Sequence, residues 1–552
     1  MMPAIRCLSW MFVPIVLLSL PGCEGGGTKS TLVTPPANPA ATLAVPPPNP
    51  NRPFLTAPDV TAIVQRAAQS LGANTMVIAV TDREGIPLGV YHKGPPGFMV
   101  TGNFGATVDA NDYALGLART GAFFSNDRAP LSSRTVRFIS SIHFPPGIEN
   151  KANGALYGIE NTNRGCSLAC SPGVACPPGL TVMFNAGHAI TPARSFAAAL
   201  DPAVSRCDFA DQSGCGVGIV TGKPDRVDSS GESVNGGGVP IFKSGVVVGG
   251  IGVTGVDPAS AEFAAFVGSI PDARFGPQPA PPGAVILDGI QLPFVEQIGP
   301  PPGTTGGIFD PALFVLGPVA SPLSGPGVPD GFLVGPSPSV DLSVDELMII
   351  VAQAVEQANV TRAAIRLPLG SATRMVIAVS DLEGNLLALY RMPDATVFSI
   401  DVAATKARNI VYFSSSARAP GDLPGVPPGT AVTNRTISFG AQPLYPPGID
   451  GTGPGPFFDL FVGDVATECR QGAQPPNVNQ SGIVFFPGSV PLYKNGQPVG
   501  GIGVSGDGVE QDDLVSAAGA TGFAPPLEIR ADNIVIGDAR LPFLKFPRNP
   551  EL

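Results

Sequence analysis

The stretch Pro240-Ile-Phe-Lys-Ser-Gly-Val-Val-Val-Gly-Gly-Ile-Gly-Val-Thr-Gly255 returns later as Pro491-Leu-Tyr-Lys-Asn-Gly-Gln-Pro-Val-Gly-Gly-Ile-Gly-Val-Ser-Gly506. In each, two apolar runs flank a two-residue turn. Asn495-Gly496 is a strong hairpin signal, because both residues tolerate the left-handed backbone that a tight turn needs. The chain therefore reads as two copies of one unit built on antiparallel hairpins.

The copies agree outward from this block. Met76-Val-Ile-Ala-Val-Thr-Asp-Arg-Glu-Gly85 matches Met375-Val-Ile-Ala-Val-Ser-Asp-Leu-Glu-Gly384, and a short strand follows each. Upstream, Thr56 with Asp59 and Ser343 with Glu346 each place an acid three residues after a hydroxyl, a helix-start signature. Apolar residues then run from Val60 to Leu71 and from Leu347 to Ala358 at the same i, i+3, i+4, i+7, i+8 spacing. That is the stripe of an amphipathic helix. A second helix is expected around Asp112 and Asp401. Arg134-Thr135 to Ile148 aligns with Arg435-Thr436 to Ile449 without a gap, and each copy closes on Leu-Pro-Phe.

With 552 residues, 44% of them hydrophobic, the chain can bury two large cores. Its 69 glycines and 63 prolines belong to turns and connectors. A net charge of −11 with no block of Lys or Arg argues against a nucleic-acid partner. The expected organisation is a signal at 1–22, a Pro/Gly-rich tether at 23–54, domains at 55–296 and 342–546, a Gly/Pro-rich linker at 297–341, and a tail at 547–552.

The signal begins with Arg6 and an apolar stretch from Cys7 to Leu20, too short to span a bilayer. Leu20-Pro21-Gly22-Cys23 resembles a bacterial lipobox, with cleavage before Cys23 and acylation of its thiol. The resemblance implies export and a lipid anchor in the outer membrane, on its periplasmic face or at the cell surface. In that oxidising setting Cys166, Cys170, Cys176, Cys207, Cys215 and Cys469 are disulfide candidates. Spacing does not set their connectivity.

The capped first helix, the V-I-A-V-x-D hairpin, the helix with Asp401 and Lys406, and the V-G-G-I-G-V-S-G strand resemble the GlcG/HbpS-type domain. That family is associated with haem binding and, by name, haem degradation. The resemblance covers both copies. It implies an α+β fold of two profilin-like repeats, each an antiparallel sheet flanked by helices.

Copy one departs from the pattern. Lys406, Arg391 and Glu510 to Asp513 of copy two correspond to Leu117, His92 and Ala259 to Glu262. The ligand site is therefore expected in copy two, from Tyr390, Arg391, Met392, Phe398, Asp401, Lys406 and Glu510. The expected ligand is haem or a similar flat or small molecule, with cations for its propionates. His92, His143 and His188 all fall in copy one, so a haem in copy two would rely on Tyr390, Met392, a neutral oxygen or no strong ligand. The G-x-G-x-x-G at Gly250–Gly255 and Gly501–Gly506 lies after a hairpin, not at a βαβ turn. It reads as a strand that lets a helix or flat ligand approach its backbone. No catalytic set and no metal cluster is recognisable. Two alternatives stay open: an enzyme degrading haem or acting on a small hydroxy acid, and a surface scaffold without ligand. Oligomerisation stays open too.

Overall fold

The structure is a computed structural model. It describes residues 32–47, 49, 51–162, 218–227, 230, 236–276, 284–296, 298–317, 328–467, 469–477 and 479–552. The signal, Cys23, His188 and the cysteines from Cys166 to Cys215 lie outside the described residues. The described residues form one compact body.

The fold is mixed α+β with antiparallel sheets. The first half contributes β1 (Met76–Asp82), β2 (Pro87–Lys93), β3 (Gly238–Lys243) and β4 (Val246–Thr254). Its main helices are α1 (Ala57–Ser70), α2 (Ala110–Phe124) and α3 (Pro258–Ser269). The expected linker supplies two further strands, β5 (Phe314–Leu316) and β6 (Gly331–Val334). The second half adds β7 (Met375–Ser380), β8 (Leu386–Arg391), β9 (Ser489–Lys494) and β10 (Gln497–Gly506), with helices α4 (Val344–Val360), α5 (Phe398–Phe413) and α6 (Val509–Gly519). One sheet runs β3-β4-β1-β2-β5 and the other β9-β10-β7-β8-β6. Residues 297–341 are thus not a plain linker, because an unpaired strand edge is closed by the nearest extended chain.

Both capping boxes form, at Thr56/Asp59 and at Ser343/Glu346. The stripes from Val60 and from Leu347 are buried as the periodicity requires. The hairpin turns hold Ser244 and Gly245 at φ 52° and 82°, and Asn495 and Gly496 at 52° and 78°. The expected tether also differs in part. Pro39–Thr42 is a short helix, Leu43 is buried, and the Leu43 carbonyl accepts from the Tyr390 hydroxyl at 3.3 Å. The apolar Leu43 side chain finds cover on α4 that a solvated polyproline segment would not.

In each half, one face of the sheet carries a helix pair, α1 with α3 or α4 with α6, over its own core. The other face carries α2 or α5. These two central helices meet in a shared core that contains Phe123, Phe124 and Leu131 with Val376, Phe398 and Ala403. The G-x-G motif explains how closely they lie. A Cβ on Gly252 would overlap the Ala114 carbonyl of α2, and one on Gly503 the Ala403 carbonyl of α5. The glycines admit a helix backbone, the first of the two roles expected.

Gly503→Ala should therefore cost about 1–3 kcal/mol or more, the range of forced overpacking. Urea denaturation of the full chain checks this. An unchanged midpoint would mean that α5 is not clamped on β10.

Candidate functional site

Strand alternation separates the expected ligand set. Tyr390 of β8 and Met392 just beyond its end lie in the core under α4, with Met375 and Ile377. Burial pushes the Tyr390 hydroxyl up to about 12. Arg391 points to the other face. It is buried and pairs with Asp330 at 2.5 Å, and it donates to the Val328 and Ala395 carbonyls. Successive residues of one strand cannot line one cleft, so the expected trio is not brought together.

Lys406 is fully buried on α5. Its Nζ donates to the Val504 carbonyl at 2.7 Å and to Asp512 Oδ2 at 3.0 Å, and sits 4.9 Å from the Phe486 ring centroid. It is a structural partner of Asp512, not a free cation for a propionate. Asp401, in the first turn of α5, is buried with Oδ1 unpartnered. Burial holds its carboxyl well above the usual range. The two described histidines are also engaged: His92 Nδ1 meets Asn111 Oδ1 at 2.7 Å, and His143 Nε2 meets Asp450 Oδ1 at 2.7 Å.

The cavity lies where the halves meet, not within the second half alone. It encloses about 930 Å³, near the upper end of small-molecule sites. Phe124 from the end of α2 stacks on Phe398 at the start of α5, with centroids 4.2 Å apart and planes 15° from parallel. Leu131, Ile139, Phe144 and Phe439 extend this apolar wall. Of the expected residues, Phe398 and Glu510 line the cavity.

Charged groups gather at one side. Asp507, buried at the end of β10, takes Arg366 Nε at 2.7 Å and the Arg374 amide at 2.8 Å. Arg366 also reaches Asp394 at 2.6 Å, whose other oxygen accepts from the Asp127 amide of the first half. Asp512 sits on α6 with Oδ2 on Lys406 and Oδ1 unpartnered. Burial raises its carboxyl to about 7, against the lowering pull of Lys406. Arg435, on the short helix Asn434–Gly440, pairs through Nε with Asp513 and leaves Nη2 unpartnered. Glu510 pairs with Lys545 at the mouth. Lys151 and Arg548 also line the cavity, are exposed, and have no acidic partner among the described residues.

A family model described as "Haem degrading protein HbpS-like" matches residues 351–521. The chain is also 31% identical, over 142 residues, to an uncharacterized 15.0 kDa protein in the dhaT-dhaS intergenic region of Citrobacter freundii. That match covers 26% of this chain and 70% of the other. The chain belongs to the HbpS-like family. Among solved structures it is similar to the PduOC:heme complex, at 22% identity over 33% of this chain and 96% of that one, with a TM-score of 0.22. It is similar to Klebsiella pneumoniae ORFY, of family DUF336, at 22% identity over 34% and 94%, also with a TM-score of 0.22.

Within this HbpS-like chain, spacing alone missed Phe124, Arg435, Lys151 and Arg548. The repeat alignment does carry one signal. Arg134 pairs with Glu262 at 2.6 Å as Arg435 pairs with Asp513. The positions of Lys406 and Asp512, however, hold Leu117 and Ala261 in the first half.

Lys406→Met leaves Asp512 buried without its cation. Removing one partner of a buried pair typically costs about 3–5 kcal/mol. Asp512 already has a raised carboxyl, so its contribution to stability is lost as pH rises through the folded value, about 7. Losing Lys406 raises that value further. The loss should be larger at pH 8 than at pH 6 in urea denaturation. Equal losses at both pH values would mean that Asp512 does not titrate in this range.

Proposed function

We propose that this chain binds one flat, anionic, apolar-faced molecule of haem type in the cavity between its two halves, which are two copies of one HbpS-like unit. The carrying observation is the pairing of the Phe124/Phe398 wall with the unpartnered Lys151 and Arg548 at the rim. Apolar walls bury a macrocycle's faces, and rim cations meet its propionates. The family's description as haem-degrading supports a ligand of this class.

The lining fits the macrocycle better than it fits iron. Among the described residues it offers no His, Met, Cys or Tyr. A haem here would be held by its faces and carboxylates. No turnover is assigned to it.

Haemin titrated into the full chain should give a saturable absorption change at one equivalent per chain. A charge-assisted contact is worth roughly 1.5–3 kcal/mol when well ordered, so Lys151→Ala combined with Arg548→Ala should weaken binding about 10-fold or more. Phe398→Ala should weaken it as well. Affinity unchanged in both variants places haemin elsewhere.

We further propose that the chain is exported and anchored to the outer membrane through Cys23. Leu20-Pro21-Gly22-Cys23 supports this. A stable anchor needs more than one acyl chain. Cys23→Ala should leave the membrane fraction or remain unprocessed. Membrane attachment at an unchanged mature mass would rule the anchor out. In the oxidising compartment that follows, we propose disulfides among Cys166, Cys170, Cys176, Cys207, Cys215 and Cys469.

A further inference from the structure

Two buried polar atoms of opposite need belong to residues that line the same cavity. Asp512 is 2% exposed and its Oδ1 has no hydrogen-bond partner. Arg435 Nη2 is buried and likewise unpartnered, although its Nε is held by Asp513. Both residues line the cavity. A buried polar group left without a partner is costly, and each such group asks for an explanation, such as a water, an ion or a ligand group.

The first half shows that the fold does not need this arrangement. Where the second half has Lys406 and Asp512, the first has Leu117 and Ala261, both buried and apolar. Replacing a buried ion pair by packed apolar residues is often neutral or stabilising. The pair in the second half therefore serves something other than stability.

We propose that Asp512 and Arg435 form a carboxyl-recognition subsite at the deep end of the cavity, where one ligand carboxylate accepts from Arg435 Nη2 and shares one proton with Asp512 Oδ1. The inference rests on the cavity being a ligand site. A guanidinium is the charge-assisted donor suited to a carboxylate. Two carboxylates side by side cannot both ionise, so one proton is held between them. The proton comes from solvent as the ligand binds. The charged groups around Asp512 are Lys406 from α5, Arg435 from its short helix, Asp507 from the end of β10, Glu510 and Asp513 from α6 itself, and Lys545, which pairs with Glu510 and whose amide donates to Asp513. The raised carboxyl of Asp512 places the uptake near neutral pH.

The probe is 2-naphthoate, a flat apolar carboxylate, titrated by calorimetry into the full chain at pH 6 and pH 8 in buffers of different ionisation enthalpy. Binding should take up close to one proton at pH 8 and weaken about 10-fold between pH 6 and pH 8. Asp512→Asn keeps an N–H donor in place, so it should bind at the acid-limit affinity at every pH with no proton uptake. Arg435→Gln should lose about 10-fold or more. The wild-type proton uptake needs no variant, so a variant that fails to fold does not decide the matter. Naphthoate binding without proton uptake overturns the subsite. So does 2-naphthamide binding tighter than naphthoate with no pH dependence. Haemin run in parallel separates the two readings. Haemin binding with no naphthoate binding overturns the subsite alone, and no binding of either overturns the cavity reading as well.

Discussion

The close packing of the two central helices is the constraint on which the rest depends. Each lies on a glycine strand with no room for a Cβ, so α2 and α5 sit unusually deep on their sheets. Their ends then meet, and Phe124 stacks on Phe398. The shared core seals most of that meeting. The part that it does not fill is the cavity. A helix held one side chain further from its strand would move both phenylalanines and change the shape of the site.

The electrostatics follow from the same depth. A helix pressed onto a sheet buries whatever its inner face carries. In the second half α5 buries Lys406, and α6 brings Asp512 against it. Burying charge is costly unless it is paired. Lys406 and Arg435 are accordingly tied to acids, and neither is free to reach a ligand with its whole charge. The cations that remain available are at the rim, on the loop with Lys151 and on the C-terminal segment with Arg548. The cavity therefore separates an apolar wall from a cationic mouth, with a polar floor beneath.

Much was legible along the chain because it is local. The capping boxes at Thr56 and Ser343, the stripes they open and the Asn495-Gly496 turn depend on neighbours a few residues away. The repeat needed only a comparison of the chain with itself. The glycine motif was also readable as a close-approach strand, since its place after a hairpin ruled out a dinucleotide turn.

What the chain alone determined was an α+β pattern of antiparallel hairpins and the family it resembles. Tertiary structure decided the site. Tyr390, Arg391 and Met392 are adjacent in sequence, yet the pleat sends them to opposite faces of β8. Lys406 looked like a free cation because its partner, Asp512, is 106 residues away. The segment read as a linker became two edge strands, because an open sheet edge takes whatever extended chain lies beside it. Phe124 and Phe398 sit in different halves and share no pattern that periodicity detects. Local rules act within a turn of helix or a step of strand; the contact between two distant helix ends is set only when both sheets are in place.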